Sequence, residues 1–149
     1  EVGHHMDDKY IIYFISRTKQ KMIKFIEQKL EEKGIDDLIA SHGNILTALY
    51  ENDGKLTMSQ IAKKIGKDKS TVTPLIDKLL KLGYINKVRS EDDKRVSFII
   101  LTQKGVKLES EFNSITSQVY ETAYKGFTPE EKKVFLQLLK KLNMNFTHQ

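Results

Sequence analysis

The chain has 149 residues, 39% hydrophobic and 30% charged, which suits one domain or one small domain with a long helical extension. It has no cysteine, which excludes disulfides, thiolate catalysis and cysteine-based metal sites. No apolar run approaches the ~18–20 residues that cross a bilayer. Residues 1–6 (EVGHHM) look like a tag remnant with Met6 as the natural start. No signal peptide follows, so we expect a cytoplasmic protein.

The net charge of +5 is concentrated in one segment of the chain. From Lys55 to Lys104 there are 12 lysines and arginines against 5 aspartates and glutamates, whereas the rest has 13 against 15. A basic segment inside a near-neutral chain is typical of proteins that bind a polyanion such as nucleic acid. An ordinary lysine-rich surface would give the same balance, so charge alone leaves both interpretations open.

Hydrophobic periodicity predicts two helices that precede this basic segment in the chain. The first runs from about Asp8 to Glu32, and Gly34 is its expected C-terminal stop. The second spans about Ser41 to Asn52 and ends in the turn Asp53-Gly54. We therefore expect a long leading helix followed by a shorter one.

A helix-turn-helix pattern follows these two helices. The run TMSQ at positions 57–60 is a capping box that starts a third helix, and Gly66 ends that helix. A fourth helix follows Asp68, a candidate cap, and extends to about Leu82. Ala62 is small where two helices must pack closely, and Gly66 suits a turn that needs a positive φ. The pattern predicts a helix with one face free for the DNA major groove, although helical hairpins can share this spacing.

The fourth helix separates an apolar face from a polar one. The apolar residues that should be buried are Val72, Leu75, Ile76 and Leu79. The outward residues that we predict to contact DNA are Lys69, Ser70, Thr71, Thr73, Pro74 and Lys78. The hydroxyls can bond phosphates or bases, the threonine methyls and the proline ring can contact thymine methyls, and the lysines suit phosphates. The alternative is that the serine and threonines are only satisfied locally in the first turns of the helix.

A β-hairpin is predicted directly after the fourth helix. Two stretches of β-forming residues, 84–89 and 96–101, are separated by the polar run 90–95. A hairpin in this position can lay its charged tip along the neighbouring groove. The alternative is a solvated turn without a partner.

The hairpin carries four residues that we predict to serve DNA binding, three of them at its tip. Arg95 suits a narrow, strongly negative minor groove, and Lys94 suits a phosphate. Asp93 is too acidic to contact DNA usefully, so we expect it to orient an arginine, either Arg89 or Arg95, through a charge-assisted pair.

Two long helices are predicted to close the chain. Thr102 caps the fifth, and the run TPEE at 128–131 starts the sixth, which gives the order α-α-α-α-β-β-α-α. The terminal helices carry more apolar surface than the small lobe between them could bury. A partner subunit is the natural cover for that surface, and a monomeric bundle is the alternative.

The motifs around the hairpin resemble those of the MarR-type winged helix regulators. Asp93-Lys94-Arg95 followed by LTQKG at 101–105 matches the family's wing pattern, Asp-x-Arg, a strand, then Leu-Thr-x-x-Gly. STVT at 70–73 and the stretch 79–85 match its recognition helix and exit. The resemblance covers nearly the whole chain, because the family also has two leading and two long trailing helices.

The resemblance implies an obligate homodimer in which the first, fifth and sixth helices of both subunits interlock. It implies a pseudo-palindromic DNA operator with one fourth helix in each half-site, the half-sites lying about 10 bp apart. Such proteins usually repress, and many are released by a small ligand between the dimer helices and the winged lobe.

Two features bear on the signal. Many members have arginine where Pro74 stands, and the Thr-Pro-Leu run at 73–75 is more similar to the peroxide-sensing branch, which senses with a cysteine. This chain has none, so thiol oxidation is excluded as its signal.

An effector pocket is expected where the first, second and fifth helices meet, with Tyr13, Arg17, His42 and Ile45 as its candidates. The alternative is an ordinary surface arginine and a histidine near a helix start.

The sequence thus predicts a mainly α fold with a small β-hairpin wing, a winged helix-turn-helix lobe and a helical dimerisation region. The expected divisions are a tag remnant (1–6), an N-terminal dimerisation helix (7–40), the DNA-binding lobe (41–105) and C-terminal dimerisation helices (106–149). We expect a homodimeric, sequence-specific DNA-binding transcriptional repressor released by a small ligand. The alternative is an architectural or protein-binding winged helix without ligand response. No catalytic pair, phosphate loop or metal motif is visible, so we expect no enzyme, metal or cofactor, and no membrane partner.

Overall fold

The computed structural model describes residues 6–147, so the stretch interpreted as a tag remnant lies outside it except for Met6. A 3₁₀ turn at Met6–Tyr10 leads into the first helix. The elements that follow are α1 (Ile11–Glu32), α2 (Ala40–Tyr50), β1 (Lys55–Thr57), α3 (Met58–Ile65), α4 (Lys69–Lys81), β2 (Ile85–Arg89), β3 (Ser97–Leu101), α5 (Gln103–Lys107), α6 (Glu109–Ala123) and α7 (Pro129–Asn145). The predicted class, mainly α with a small β wing, is confirmed.

The chain divides into two compact units, Glu1–Thr116 and Ser117–Gln149. The first unit holds the core, whose fully buried side chains are Leu30, Ile45, Leu46, Leu49, Ile61, Val72, Ile76, Leu79, Ile85 and Ile99. The second unit contains the end of α6 and all of α7, and none of the α7 residues is buried. Among the described residues, no helix has the length and apolar character needed to cross a membrane.

The sheet has three antiparallel strands in the order β1-β3-β2, one more than the sequence predicts. β2 and β3 form the expected hairpin, with Ile85 opposite Leu101 and Arg89 opposite Ser97. The missed strand, β1, is only three residues long, and Leu56 is its single buried side chain. It pairs with the far edge of β3, Leu56 opposite Ile99. So short a strand has no alternation of its own, and pairing with β3 defines it.

The predicted long fifth helix is wrong in one respect, because it is interrupted at Leu108. Its cap is correct, since the Thr102 hydroxyl accepts a hydrogen bond from Gly105 N at 3.1 Å. The Gly105 carbonyl then accepts from Leu108 N at 3.2 Å, in a tighter turn than an α-helix makes, and from the Tyr50 hydroxyl at 2.6 Å. The helical ladder therefore stops at this carbonyl and restarts as α6.

Close packing at Gly105 fixes α5 against the start of β2. A Cβ atom at this position would overlap the Tyr84 carbonyl oxygen. Two further bonds hold the same junction: the Thr102 hydroxyl donates to the Gly83 carbonyl at 2.6 Å, and Lys104 Nζ donates to the Leu82 carbonyl at 2.7 Å. The end of α4 and the beginning of α5 are thus one tightly connected corner.

The α1 and α6 helices are anchored to the lobe at a few defined points. Glu27 accepts from Ala40 N at 3.1 Å, which joins α1 to the start of α2, and Lys33 pairs with Glu111 at 2.9 Å. The Phe112 ring packs so closely on α2 that a Cβ at Gly43 would lie 2.9 Å from it. Glycine at that position lets α6 approach.

We predict that Tyr50→Phe lowers the free energy of unfolding by about 1–3 kcal/mol, because it leaves the buried Gly105 carbonyl without its side-chain donor. Urea denaturation measures the change. Tyr120→Phe is the matched control, since Tyr120 is 58% exposed. Equal stability of the two variants would remove the hydroxyl bond as a structural contributor.

Candidate nucleic-acid interface

The turn between α3 and α4 is built by local signals. Thr57 Oγ1 accepts from Gln60 N at 3.1 Å, and Gln60 Oε1 accepts from Thr57 N at 2.9 Å, which confirms the capping box. Gly66 ends α3 with φ +70°, the positive value expected from the sequence. Lys67 N then bonds back to the Ala62 carbonyl at 3.0 Å, so α4 starts in a defined direction.

The α4 helix places the predicted DNA-contacting residues in solvent. Lys69, Ser70, Thr71, Thr73, Pro74 and Lys78 are all exposed. Val72, Ile76 and Leu79 are buried on the opposite side, and Leu75, also expected there, is partly covered. The helix therefore presents one polar face and anchors the other.

Asp68 does more at the start of α4 than the cap that the sequence predicts. Its Oδ1 accepts from Thr71 N at 2.8 Å and from the Ser70 hydroxyl at 2.7 Å. These bonds, led by the one from Ser70, lower the pKa of Asp68. The bond from Ser70 to Asp68 was not predicted, although the Asp-x-Ser-Thr spacing at 68–71 is a local signal for it. The alternative in which the hydroxyls are satisfied locally therefore holds for their protons, which bond within the protein. The side chains themselves stay exposed to solvent.

The wing tip is an ordered turn. Ser90 N donates to the Val96 carbonyl at 2.9 Å, and Val96 N donates to the Asp93 carbonyl at 2.9 Å. Ser90 Oγ accepts from Asp93 N at 3.2 Å. The tip thus holds Asp93 in place before any partner arrives.

Asp93 pairs with Arg95, which resolves the alternative that the sequence left open. Arg95 Nε lies 3.1 Å from Oδ1 and Nη2 lies 3.2 Å from Oδ2, a two-pronged contact, and these bonds lower the pKa of Asp93. The Arg95 side chain is nevertheless 90% exposed. Two of its five N–H groups are used, which leaves three for a ligand. Arg89 and Lys94 are exposed on β2 and at the tip.

The basic segment forms a cationic surface around these elements. Its exposed lysines are Lys55, Lys63, Lys64, Lys67, Lys69, Lys78, Lys81, Lys87, Lys94 and Lys104. They lie on the same lobe as the polar face of α4 and the wing, so phosphate-binding charge and groove-sized elements occur together.

The predicted effector residues are not brought together within the described chain. Tyr13 is exposed, and the Arg17 guanidinium lies 5.3 Å from the centre of its ring. His42 and Ile45 are buried in α2. Arg17 precedes Glu27, the α1 residue bonded to α2, by ten positions, about 15 Å along a helix. The described cavities, one bounded by α2 and α3 and one along α1, are lined by other residues. The described residues contain no cluster suited to a metal ion.

Comparisons with known proteins find a consistent family. The model of the MarR family matches residues 40–97, a range that contains every predicted DNA-contacting residue. The transcriptional regulator SarZ of Staphylococcus haemolyticus is 27% identical over 121 residues, which cover 78% of this chain and 80% of the relative. The uncharacterized transcriptional regulator YybA of Bacillus subtilis is 31% identical over 109 residues, which cover 73% of this chain and 72% of the relative.

The solved structures agree on the fold. A mutant MarR from E. coli, complexed with operator DNA, matches with a TM-score of 0.79. The match covers 93% of this chain and 98% of the other at 20% identity. At that identity the likeness shows the fold alone.

We predict that stability declines as the pH falls below about 6.5, the ordinary pKa of histidine. His42 is 3% exposed, and its Nδ1 accepts from Ile39 N at 2.9 Å, which requires an unprotonated nitrogen. Burial, and then the charge of Lys78, lower its pKa, while Asp37 opposes them. The unfolded chain therefore binds the proton more readily, so acid favours unfolding.

Urea unfolding at pH 7.5 and 5.5 measures this effect. His42→Gln is the matched control, because glutamine keeps an acceptor for Ile39 N and does not titrate. The loss between the two pH values should be smaller in the variant. Equal losses would mean that His42 does not carry the pH dependence.

Proposed function

Because this chain belongs to the MarR family of transcriptional regulators, we propose that it acts as a homodimeric repressor that binds a pseudo-palindromic operator and is released by a small ligand. The observation that carries the DNA part is the exposed Arg95, braced by Asp93 on a wing that follows α4. A guanidinium held on a projecting tip is suited to a narrow minor groove. The operator complex of the E. coli protein with the same fold supports this reading.

The proposed docking divides the contacts between two grooves. The exposed face of α4, with Ser70, Thr71, Thr73 and Pro74, enters the major groove and meets base edges. Arg95 enters the adjacent minor groove. Two pairs of cations meet phosphates on either side: Lys69 and Lys78 on α4, and Lys94 and Arg89 on the wing.

The proposed dimer rests on apolar side chains that one chain leaves in solvent. At the start of the first unit, the rings of Tyr10, Tyr13 and Phe14 form an edge-to-face cluster with centroids 5.4–6.3 Å apart. The exposed apolar side chains of α7 are Val134, Phe135, Leu138, Leu139 and Met144. In each place several apolar side chains are exposed together, whereas single exposed apolar residues are common on any protein surface. A second copy of the chain offers matching apolar surface to both.

The proposed effector is a small anionic molecule that Arg17 would pair with. The stacked Tyr13–Arg17 pair offers a ring and a cation side by side in solvent. His42 and Ile45 are both buried in α2, so they would contact the ligand only if the core around α2 opens toward it. Ligand binding that altered this core would reach α4, because α2 packs directly against α4.

We predict that Arg95→Ala weakens binding to an operator duplex, selected with the wild-type protein from a random library, by about 1–3 kcal/mol without loss of fold. Fluorescence anisotropy on a labelled duplex gives the Kd, and thermal unfolding checks the fold. Arg17→Ala is the matched control, because it removes the same charge outside the lobe and should leave the Kd unchanged. If the two variants bind alike, the wing does not contact DNA.

The salt dependence separates this function from an architectural one. Binding to the selected duplex should weaken steeply as salt rises, in proportion to the phosphates contacted. Equal affinity for the selected and a scrambled duplex would favour the architectural alternative.

We predict that light scattering at micromolar concentration gives about twice the mass of one chain. Leu138→Glu should shift the protein toward the monomer, because Leu138 is 58% exposed in the single chain and a charge there opposes an apolar interface. Val88→Glu on the wing is the matched control and should remain dimeric. A wild-type monomer would contradict the proposed assembly.

A further inference from the structure

Two hydroxyl protons at the start of α4 are donated to acceptors of the protein itself. Ser70 Oγ lies 2.7 Å from Asp68 Oδ1. Thr73 Oγ1 lies 2.7 Å from the Lys69 carbonyl oxygen. Neither a carboxylate nor a carbonyl can donate a proton, so the hydroxyl is the donor in each of these bonds.

The solvent side of the same turn therefore offers acceptors. Each hydroxyl has one proton, so the outward positions of Ser70 and Thr73 are oxygen lone pairs. The backbone carbonyl of Ser70 is a further acceptor in this turn, because Pro74, four residues later, has no N–H to donate to it. Between residues 68 and 74, Lys69 is the side chain with protons free for an outside acceptor.

An acceptor surface discriminates among the groups that DNA presents. Phosphate oxygens are acceptors and negatively charged, so they are repelled by the Asp68 carboxylate, which also occupies the Thr71 amide. In the major groove, guanine presents the acceptors N7 and O6 and thymine presents O4, whereas adenine N6 and cytosine N4 are amino donors.

We infer that the hydroxyls of Ser70 and Thr73 read the exocyclic amino groups of adenine or cytosine, and that they contact neither phosphates nor guanine. This inference rests on the proposed DNA-binding function and specifies its chemistry. It assigns sequence readout to the neutral hydroxyls of α4 and phosphate contact to the lysines. Lys69, adjacent to these residues, is the side chain of this turn that could donate hydrogen bonds to guanine or to a phosphate.

Selection from a random duplex library identifies the positions that these side chains read. The full-length protein, Ser70→Ala and Thr73→Val are each used to select binding sites, after circular dichroism has checked that the variants fold. Thr73→Val keeps the shape of the side chain and removes the oxygen, and Thr73→Ser is the matched control that keeps the oxygen. The base pairs whose preference is relaxed in Ser70→Ala or Thr73→Val, and kept in Thr73→Ser, are the ones read by the hydroxyls.

Base analogues then test the chemistry at those pairs. The amino group is removed by replacing adenine with deoxynebularine, or cytosine with the 2-pyrimidinone nucleoside. We expect about tenfold or more weaker binding by the wild type and by Thr73→Ser at the pair read by Thr73, and no further loss in Thr73→Val. Replacing guanine by 7-deazaguanine, or a flanking phosphate by methylphosphonate, should not distinguish the wild type from Thr73→Val.

Three results would overturn the inference. The relaxed pairs could depend on guanine N7, the deamino analogues could bind as well as the natural bases, or neither variant could alter the selected site. Failure of the proposed function has a different signature: the wild-type selection would enrich no sequence at all.

Discussion

The carbonyl of Gly105 is where the winged lobe is joined to α6, the helix that follows it. It accepts the Tyr50 hydroxyl from α2 and closes the turn that ends α5, while the absence of a side chain at Gly105 lets α5 rest on Tyr84. The exit of α4 is bound at the same corner through the Gly83 and Leu82 carbonyls. The direction of α4 is therefore set relative to the first half of α6, and a change at one can be transmitted to the other through short, directional bonds.

Two kinds of group with different roles lie on the proposed DNA surface. The lysines supply charge that is free to adapt, since long ammonium side chains can follow a phosphate backbone without fixed geometry. The hydroxyls of α4 and the guanidinium of Arg95 are instead held by Asp68, by the Lys69 carbonyl and by Asp93. Both acidic residues lie inside a basic segment, where they orient their neighbours. In the proposed complex, affinity and selectivity thus have separate structural sources.

Much of this arrangement follows from the sequence, because its signals are local. Thr57, Asp68, Thr102 and Thr128 all accept the backbone N–H expected of a helix cap, and Gly66 has the positive φ that its position requires. What escaped prediction depends on distant parts of the chain. β1 is defined by its pairing with β3, and the break at Leu108 depends on a bond from Tyr50, 55 residues before Gly105. At the site, the exposed residues of α4 were predictable from periodicity. The direction of their hydroxyl protons was left open, because DNA and local acceptors were both possible partners. Only the folded geometry shows that Asp68 accepts from Ser70 and that the Lys69 carbonyl accepts from Thr73.

The contact between Asp93 and Arg95 has a consequence for the thermodynamics of association. A free arginine side chain loses up to about 2 kcal/mol of rotational entropy when it is immobilised in a groove. Here the guanidinium is already held at two points in the unbound chain, at 3.1 and 3.2 Å, so part of that entropy is lost during folding. The wing consequently meets a groove with its cation in a preferred orientation, so the entropy of binding should contain a smaller penalty from ordering the tip. A lysine at position 95 would keep the charge and lose this advantage, because an ammonium group cannot form the planar, two-point contact.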